Sequence, residues 1–141
     1  MDADACPVRE IIERVSQEYG VEVWMYMDFA HEGHFAYARL RQVDTAKDAA
    51  DLALINDAEK GDIVVTQDYG LASLALGKGA YALHPGGMRY TTHNIDRLLA
   101  ERHFHARTRG HVRTRAFPKR TREDDRRFEQ AYRKLLEELT A

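Results

Sequence analysis

A chain of 141 residues, 44% hydrophobic and 31% charged, is sized for one domain with one proper hydrophobic core, which excludes wholesale disorder and two independent domains. Its longest apolar stretches are too short to cross a bilayer, and Met1 leads straight into Asp2, Asp4 and Cys6 with no leader pattern, so a cytoplasmic location and no membrane partner are expected. Cys6, the lone cysteine, cannot form an intrachain disulfide, in keeping with a reducing compartment, and the net charge of −2 hides an acidic body, 9 Lys+Arg against 17 Asp+Glu over residues 1 to 101, beside a stretch at 102 to 122 with 8 Lys+Arg and no acid.

In chain order, Pro7 fits the first turn of a helix, and Val8, Ile11, Ile12 and Val15 then share one face, predicting a helix over 7 to 19 closed by Gly20. Residues 21 to 27 alternate and are rich in strand formers. Residues 31 to 34 look like a loop, and 35 to 43 either a short strand or an irregular connection. Thr45 and Asp48 have the spacing of a capping box, and Ala49, Ala50, Leu52, Ala53, Leu54 and Ile55 continue a helix that should end near Lys60 and Gly61.

The continuous run Ile63, Val64, Val65 within 62 to 66 predicts a central parallel strand covered on both faces. A short helix at 71 to 76 closed by Gly77 or Gly79, a buried strand at 80 to 83, and a turn at His84-Pro85-Gly86-Gly87 follow. Asn94 is placed to cap a helix through Ile95, Leu98, Leu99 and His103, after which the basic stretch shows little periodicity. A last amphipathic helix covers 123 to 139 through Phe128, Tyr132, Leu135, Leu136 and Leu139, with Glu123, Asp124 and Asp125 suiting its N-terminus. Strands alternating with helices argue for a mostly parallel sheet with helices on its faces, in a single domain over 1 to 141.

In such sheets functional groups gather beyond the carboxyl ends of the strands. Asp2 and Asp4 precede the first helix, Asp68 follows the strand at 63 to 66, and Asp48 and Asp51 are spaced to share one helical face. Five carboxylates drawn together would repel and raise one another's pKa, unless a divalent cation offsets the charge, and carboxylate oxygens suit Mg²⁺ or Mn²⁺. Plainer roles stand beside this: Asp48 as the acidic member of the capping box, Asp68 as a helix cap, Asp2 and Asp4 as frayed terminal residues. Asp62, before its strand, reads as a structural turn residue.

Three motifs carry a resemblance: Asp-Ala-Asp-Ala-Cys-Pro-Val at 2 to 8, Asp-Ala-Ala-Asp at 48 to 51, and Gly-Asp-Ile-Val-Val-Thr-Gln-Asp-Tyr at 61 to 69. Together with Leu71-Ala72, Lys78-Gly79-Ala80, Asn94-Ile95 and the region 125 to 128, they make the chain similar, over nearly its whole length, to the uncharacterised bacterial YaiI/YqxD family. That family is regarded as PIN-like. The resemblance implies a three-layer α/β fold with a mostly parallel central sheet and helices on both faces, and a metal-dependent nuclease acting on RNA. It implies Asp2, Asp4, Asp48, Asp51 and Asp68 as ligands of Mg²⁺ or Mn²⁺, with Asp4, Asp48 and Asp68 catalytic. Members of the family carry a short apolar strand ahead of the first acidic motif, whereas here only Met1 precedes Asp2, so either the start lies upstream or the first strand is stunted.

Lys47 and Thr66 are placed to support the acidic site, one by charge and one by hydrogen bonding, or to act only as surface and strand residues. Arg102, Arg107, Arg109, Arg113, Arg115, Lys119, Arg120 and Arg122 either track a phosphate backbone or form a solvated mobile arm. Trp24, Tyr26, Phe29, Phe35 and Tyr37 offer a stacking platform for bases or, as strand aromatics usually do, a core. Cys6 reads as a small buried residue. The histidines, His103, His105 and His111 or His31 with His34, form no convincing zinc set. Two rivals to the nuclease remain: a nucleic-acid-binding module without turnover, and a regulatory interaction domain. A homo-oligomeric state is left open.

Overall fold

The computed structural model describes residues 8–28, 37–43, 49–108 and 120–140. Its first helix, α1 (Arg9–Tyr19), forms where Ile12 and Val15 repeat at helical spacing behind a fully buried Val8. Gly20 ends it in the left-handed conformation, donating its N–H to the carbonyls of Gln17 and Ser16. Pro7 lies outside the described residues. β1 (Trp24–Asp28) starts three residues later than the alternation at 21 suggested, and β2 (Arg39–Val43) settles the ambiguous segment as a strand. The two run parallel, with Trp24 opposite Arg39 and Asp28 opposite Val43.

α2 (Ala49–Asp57) stops three residues short of the expected end at Lys60. The cause is a tight turn, in which the Asp62 carboxylate accepts the Glu59 N–H at 2.9 Å while the Glu59 carbonyl accepts the Asp62 N–H. Asp62 is therefore the turn residue its position implied. β3 (Ile63–Val65) pairs in parallel with β4 (Tyr81–Leu83), joined by α3 (Tyr69–Gly77). A short β5 (Arg89–Tyr90), not expected from sequence, returns antiparallel to β4 after the turn at 84 to 87.

Both remaining helices begin on capping boxes. α4 (Ile95–Thr108) starts directly after Asn94, as expected, and its box lies in the turn just ahead, between Thr91 and Asn94. The Thr91 hydroxyl accepts the Asn94 N–H at 3.2 Å, and the Asn94 side chain takes the Thr91 N–H at 2.9 Å. This helix runs on through the first seven residues of the basic stretch, which sequence periodicity did not foresee. For α5 (Arg122–Thr140), Thr121 and Asp124 exchange the same pair of bonds. The Thr45–Asp48 box lies outside the described residues.

The strands form two small sheets, β1-β2 and β3-β4-β5, where sequence alternation had suggested one. Successive residues of both sheets nevertheless enter the same two apolar clusters. Tyr26, Val64 and Ala82 join Leu54 of α2, Ala72 of α3 and Leu98 of α4, while Met25, Val65 and Leu83 join Val15 of α1 and Phe128 of α5. Strand side chains alternate in direction, so successive residues of β1, β3 and β4 reach the same two groups of helices, while no residue of β2 is fully buried.

α1 and α5 are held together by more than their apolar stripes. The Ser16 and Tyr132 hydroxyls are buried against each other at 2.6 Å, and Glu129 receives both Arg14 and Arg133 while Arg133 also reaches Glu18. Hydrogen bonds from Arg14 and then Arg133 hold the Glu129 carboxyl below its ordinary range. These pairs lie near solvent, so the buried contacts carry most of the packing energy.

The turn after β4 locks against α5. Gly87 has φ +97°, and a Cβ there would sit 2.8 Å from the Arg127 carbonyl oxygen. Gly87→Ala is expected to lower stability by about 1–3 kcal/mol in urea unfolding, since both the left-handed backbone and the clash oppose it. Gly77→Ala, with open space around its Cβ and no positive φ, should be neutral or slightly stabilising in the same assay.

Candidate functional site at the carboxyl ends of β3 and β4

β3 ends at Val65, and the next residue ties three segments together. Thr66 is buried; its N–H donates to the Leu83 carbonyl at 3.1 Å, its carbonyl accepts the Tyr90 hydroxyl at 3.2 Å, and its side-chain oxygen accepts the Asp68 N–H at 3.0 Å. Asp68 then caps α3, one carboxylate oxygen accepting the N–H groups of Gly70 at 2.8 Å and Leu71 at 3.3 Å. The plainer role assigned to Asp68 from sequence is thus real. Capping also aims its carboxyl group beyond the strand end, where the helix N-terminus favours negative charge.

Beside it, Tyr90 forms the centre of an aromatic row. Tyr69 meets its ring edge-on at 5.9 Å and His84 at 6.2 Å. Burial, followed by the neighbouring Tyr69 and Asp68, pushes the Tyr90 hydroxyl well above its ordinary pKa, so it stays protonated and donates to Thr66. His84 follows β4 as Asp68 follows β3. Its Nδ1 accepts the Gly86 N–H at 2.8 Å, which places the proton of the neutral ring on Nε2. Burial, and then the charge of Arg120, lowers the His84 pKa. Arg120 donates its Nε to Asp125 at 2.6 Å, while its Nη2 is buried with no hydrogen-bond partner among the described residues.

Of the residues singled out from sequence, Asp51 stands half-buried in the first turn of α2 and Asp68 at the start of α3. Both helices pack into the same apolar cluster, through Leu54 and Leu71. Asp2, Asp4, Lys47, Asp48, Arg109 and Arg113 lie outside the described residues, as does the side chain of Arg107 in α4. Among the described residues no group of three or more His, Cys, Asp or Glu side chains is placed to hold a metal ion, so the five-carboxylate convergence is not assembled from them alone. No helix among them is long and apolar enough to cross a membrane.

The aromatic platform needs correction. Tyr26 is a core residue whose hydroxyl donates to Asp57 at 2.8 Å, Tyr37 donates to the Val21 carbonyl, and Trp24 donates to Glu22 with the Arg39 guanidinium 5.7 Å from its ring. Phe29 and Phe35 lie outside the described residues. Sequence reading took His84 only as part of a turn and passed over Tyr90. The rule that drew attention to Asp68, a polar residue just past a buried strand, applies equally to His84 after the strand at 80 to 83.

These features define a mixed α/β protein with five described helices and two small sheets, its polar groups collected past the ends of one parallel strand pair. The chain belongs to the YaiI/YqxD family of uncharacterised bacterial proteins, whose profile matches residues 1–138. Curated relatives are each called only "UPF0178 protein". One from Alkaliphilus oremlandii is 47% identical over 139 residues, covering 98% of this chain and 90% of its own length. One from Clostridium acetobutylicum is 48% identical, covering 96% and 94%, and one from Lachnoclostridium phytofermentans is 45% identical, covering 100% and 97%. No solved structure matches the chain.

Two outcomes test this geometry. Asp68→Ala should cost about 1 kcal/mol by removing the cap, whereas Asp68→Asn, which can still accept both N–H bonds, should cost only a few tenths in thermal unfolding. The folded-state pKa of His84 lies below the ordinary 6.5, so the unfolded chain binds the proton more readily. Stability should therefore fall as pH drops through 6.5 and stay level above it. His84→Gln should flatten that slope in urea midpoints measured across the same interval.

Proposed function

We propose that this protein is a metal-dependent nuclease of PIN-like fold that cleaves RNA, with Asp2, Asp4, Asp48, Asp51 and Asp68 forming its acidic site. The observation that carries the reading is the placement of Asp68: a carboxylate just past the end of β3, at the start of a helix, with its backbone pinned through Thr66 to β4 and β5. Asp51, on the first turn of the neighbouring helix, is a second oxygen donor of the kind Mg²⁺ or Mn²⁺ takes. Such an ion, when bound, would supply an activated water and offset charge on a scissile phosphate. In this reading Thr66 is a positioning residue, since it is buried and its hydroxyl holds the Asp68 N–H. Lys47, Arg107, Arg109 and Arg113 are assigned to the phosphate backbone of the substrate.

The finer fold belongs to the same proposal: one mostly parallel central sheet with helices on both faces. A cavity of about 800 Å³ supports it, for it touches Trp24 and Tyr26 on one side and Ile63 and Val65 on the other, and reaches both Leu54 of α2 and Leu136 of α5. A space that meets both helical layers passes between β1 and β3. The helices fall into two groups in agreement with this: α3 contributes to one apolar cluster and α1 to the other.

Cleavage of single-stranded RNA in Mn²⁺ tests the activity. Asp68→Asn and Asp4→Asn are each expected to lower kcat by about a hundredfold or more, with the folded state intact. Unchanged cleavage in both variants ends the nuclease reading.

A further inference from the structure

We propose that Arg120 and His84 form a metal-independent phosphate-binding corner at the carboxyl edge of β4. That the phosphate belongs to single-stranded RNA rests on the nuclease reading above; the corner itself rests on three separate features.

First, the Arg120 Nη2 is a buried donor with no hydrogen-bond partner among the described residues. Leaving such a group without an acceptor costs about 1–3 kcal/mol or more for a charged group, and an anionic oxygen is the acceptor that removes the penalty. Second, the guanidinium is held in orientation. Its Nε is fixed by Asp125 at 2.6 Å, and Asp125 is bonded in turn at the base of α5, where its N–H donates to the Thr121 carbonyl. A guanidinium clamped through Nε presents its remaining N–H groups as a planar fork, the geometry that matches phosphate.

Third, His84 supplies a second donor of known tautomer. With Nδ1 occupied by the Gly86 N–H, the neutral ring offers Nε2–H. The loop that carries it is rigid by construction, because Pro85 is fully buried, Gly87 is pressed on the Arg127 carbonyl, and the His84 N–H and carbonyl bond Met88 and Gly87. Arg120 is also the last basic residue but one of the basic run, and the turn that carries His84 meets the same first turns of α5 that hold Arg120, through Gly87 against Arg127 on one side and Asp125 on the other. A phosphodiester seated here would lie one strand over from Asp68, across the Tyr90 ring, so the corner holds the backbone to one side of the acidic site.

The test uses the full chain in EDTA, so that no metal site or turnover contributes. Inorganic phosphate should shift the His84 imidazole resonances in NMR. A short oligouridylate should bind the protein, and Arg120→Gln should weaken that binding about tenfold, Arg120→Lys and His84→Gln less, and Arg126→Gln, an exposed arginine elsewhere on α5, not at all. Should Arg120→Gln melt early, Arg120→Lys and His84→Gln decide the matter. Unmoved His84 resonances overturn the corner, and equal oligouridylate affinity in the Arg120 and Arg126 variants overturns its role toward RNA. Loss of cleavage in Asp68→Asn with binding retained separates a failure of this corner from a failure of the nuclease reading.

Discussion

Every polar feature at the working edge of this protein depends on how Thr66 is bonded. As the residue that follows β3, it would be expected to expose a free N–H, a free carbonyl and a hydroxyl at the end of a sheet. All three are instead satisfied within the fold, by Leu83, Tyr90 and Asp68 respectively. Leaving any one unmade in a buried setting would cost about 1–3 kcal/mol. The consequence is that Asp68 emerges already committed to capping α3, while Tyr90 is bonded to Thr66 with its ring against Tyr69 and His84.

A second constraint is the sharing of two apolar clusters between two sheets. Neighbouring strands in one sheet stand about 4.8 Å apart, whereas β1 and β3 are separated by a cavity open to both helical layers. Leu136 and Tyr132 of α5, from one cluster, and Leu54 of α2, from the other, line this cavity. A carboxyl-end site built on β3 is thereby supported from β4 and β5 more firmly than from β1, which fits the concentration of hydrogen bonds on that side of Asp68.

Local signals in the amino-acid order were sufficient for most elements. Gly20 after an amphipathic run closed α1, the unbroken Ile63-Val64-Val65 marked a strand covered on both faces, and the stripe of Phe128, Tyr132, Leu135 and Leu136 marked α5. Errors occurred where a side chain outvoted periodicity. α2 ends early because the Asp62 carboxylate reaches back to the Glu59 N–H. β5 was missed because two residues carry no period at all; only the tight turn before it and the partner strand β4 make it a strand.

What the order of residues determined by itself was chemical inventory and family: an aspartate past each of several predicted element boundaries, an acidic body with one basic stretch, and three motifs that place the chain in the YaiI/YqxD family. Tertiary structure alone decided which groups became neighbours. Asp68, Tyr90, His84 and Arg120 span 53 positions of the chain, from 68 to 120, and no spacing rule links them. They meet because β3, β4 and β5 hydrogen-bond side by side and α5 folds back on the turn at Gly87, which are pairings set by long-range burial and not by any local preference.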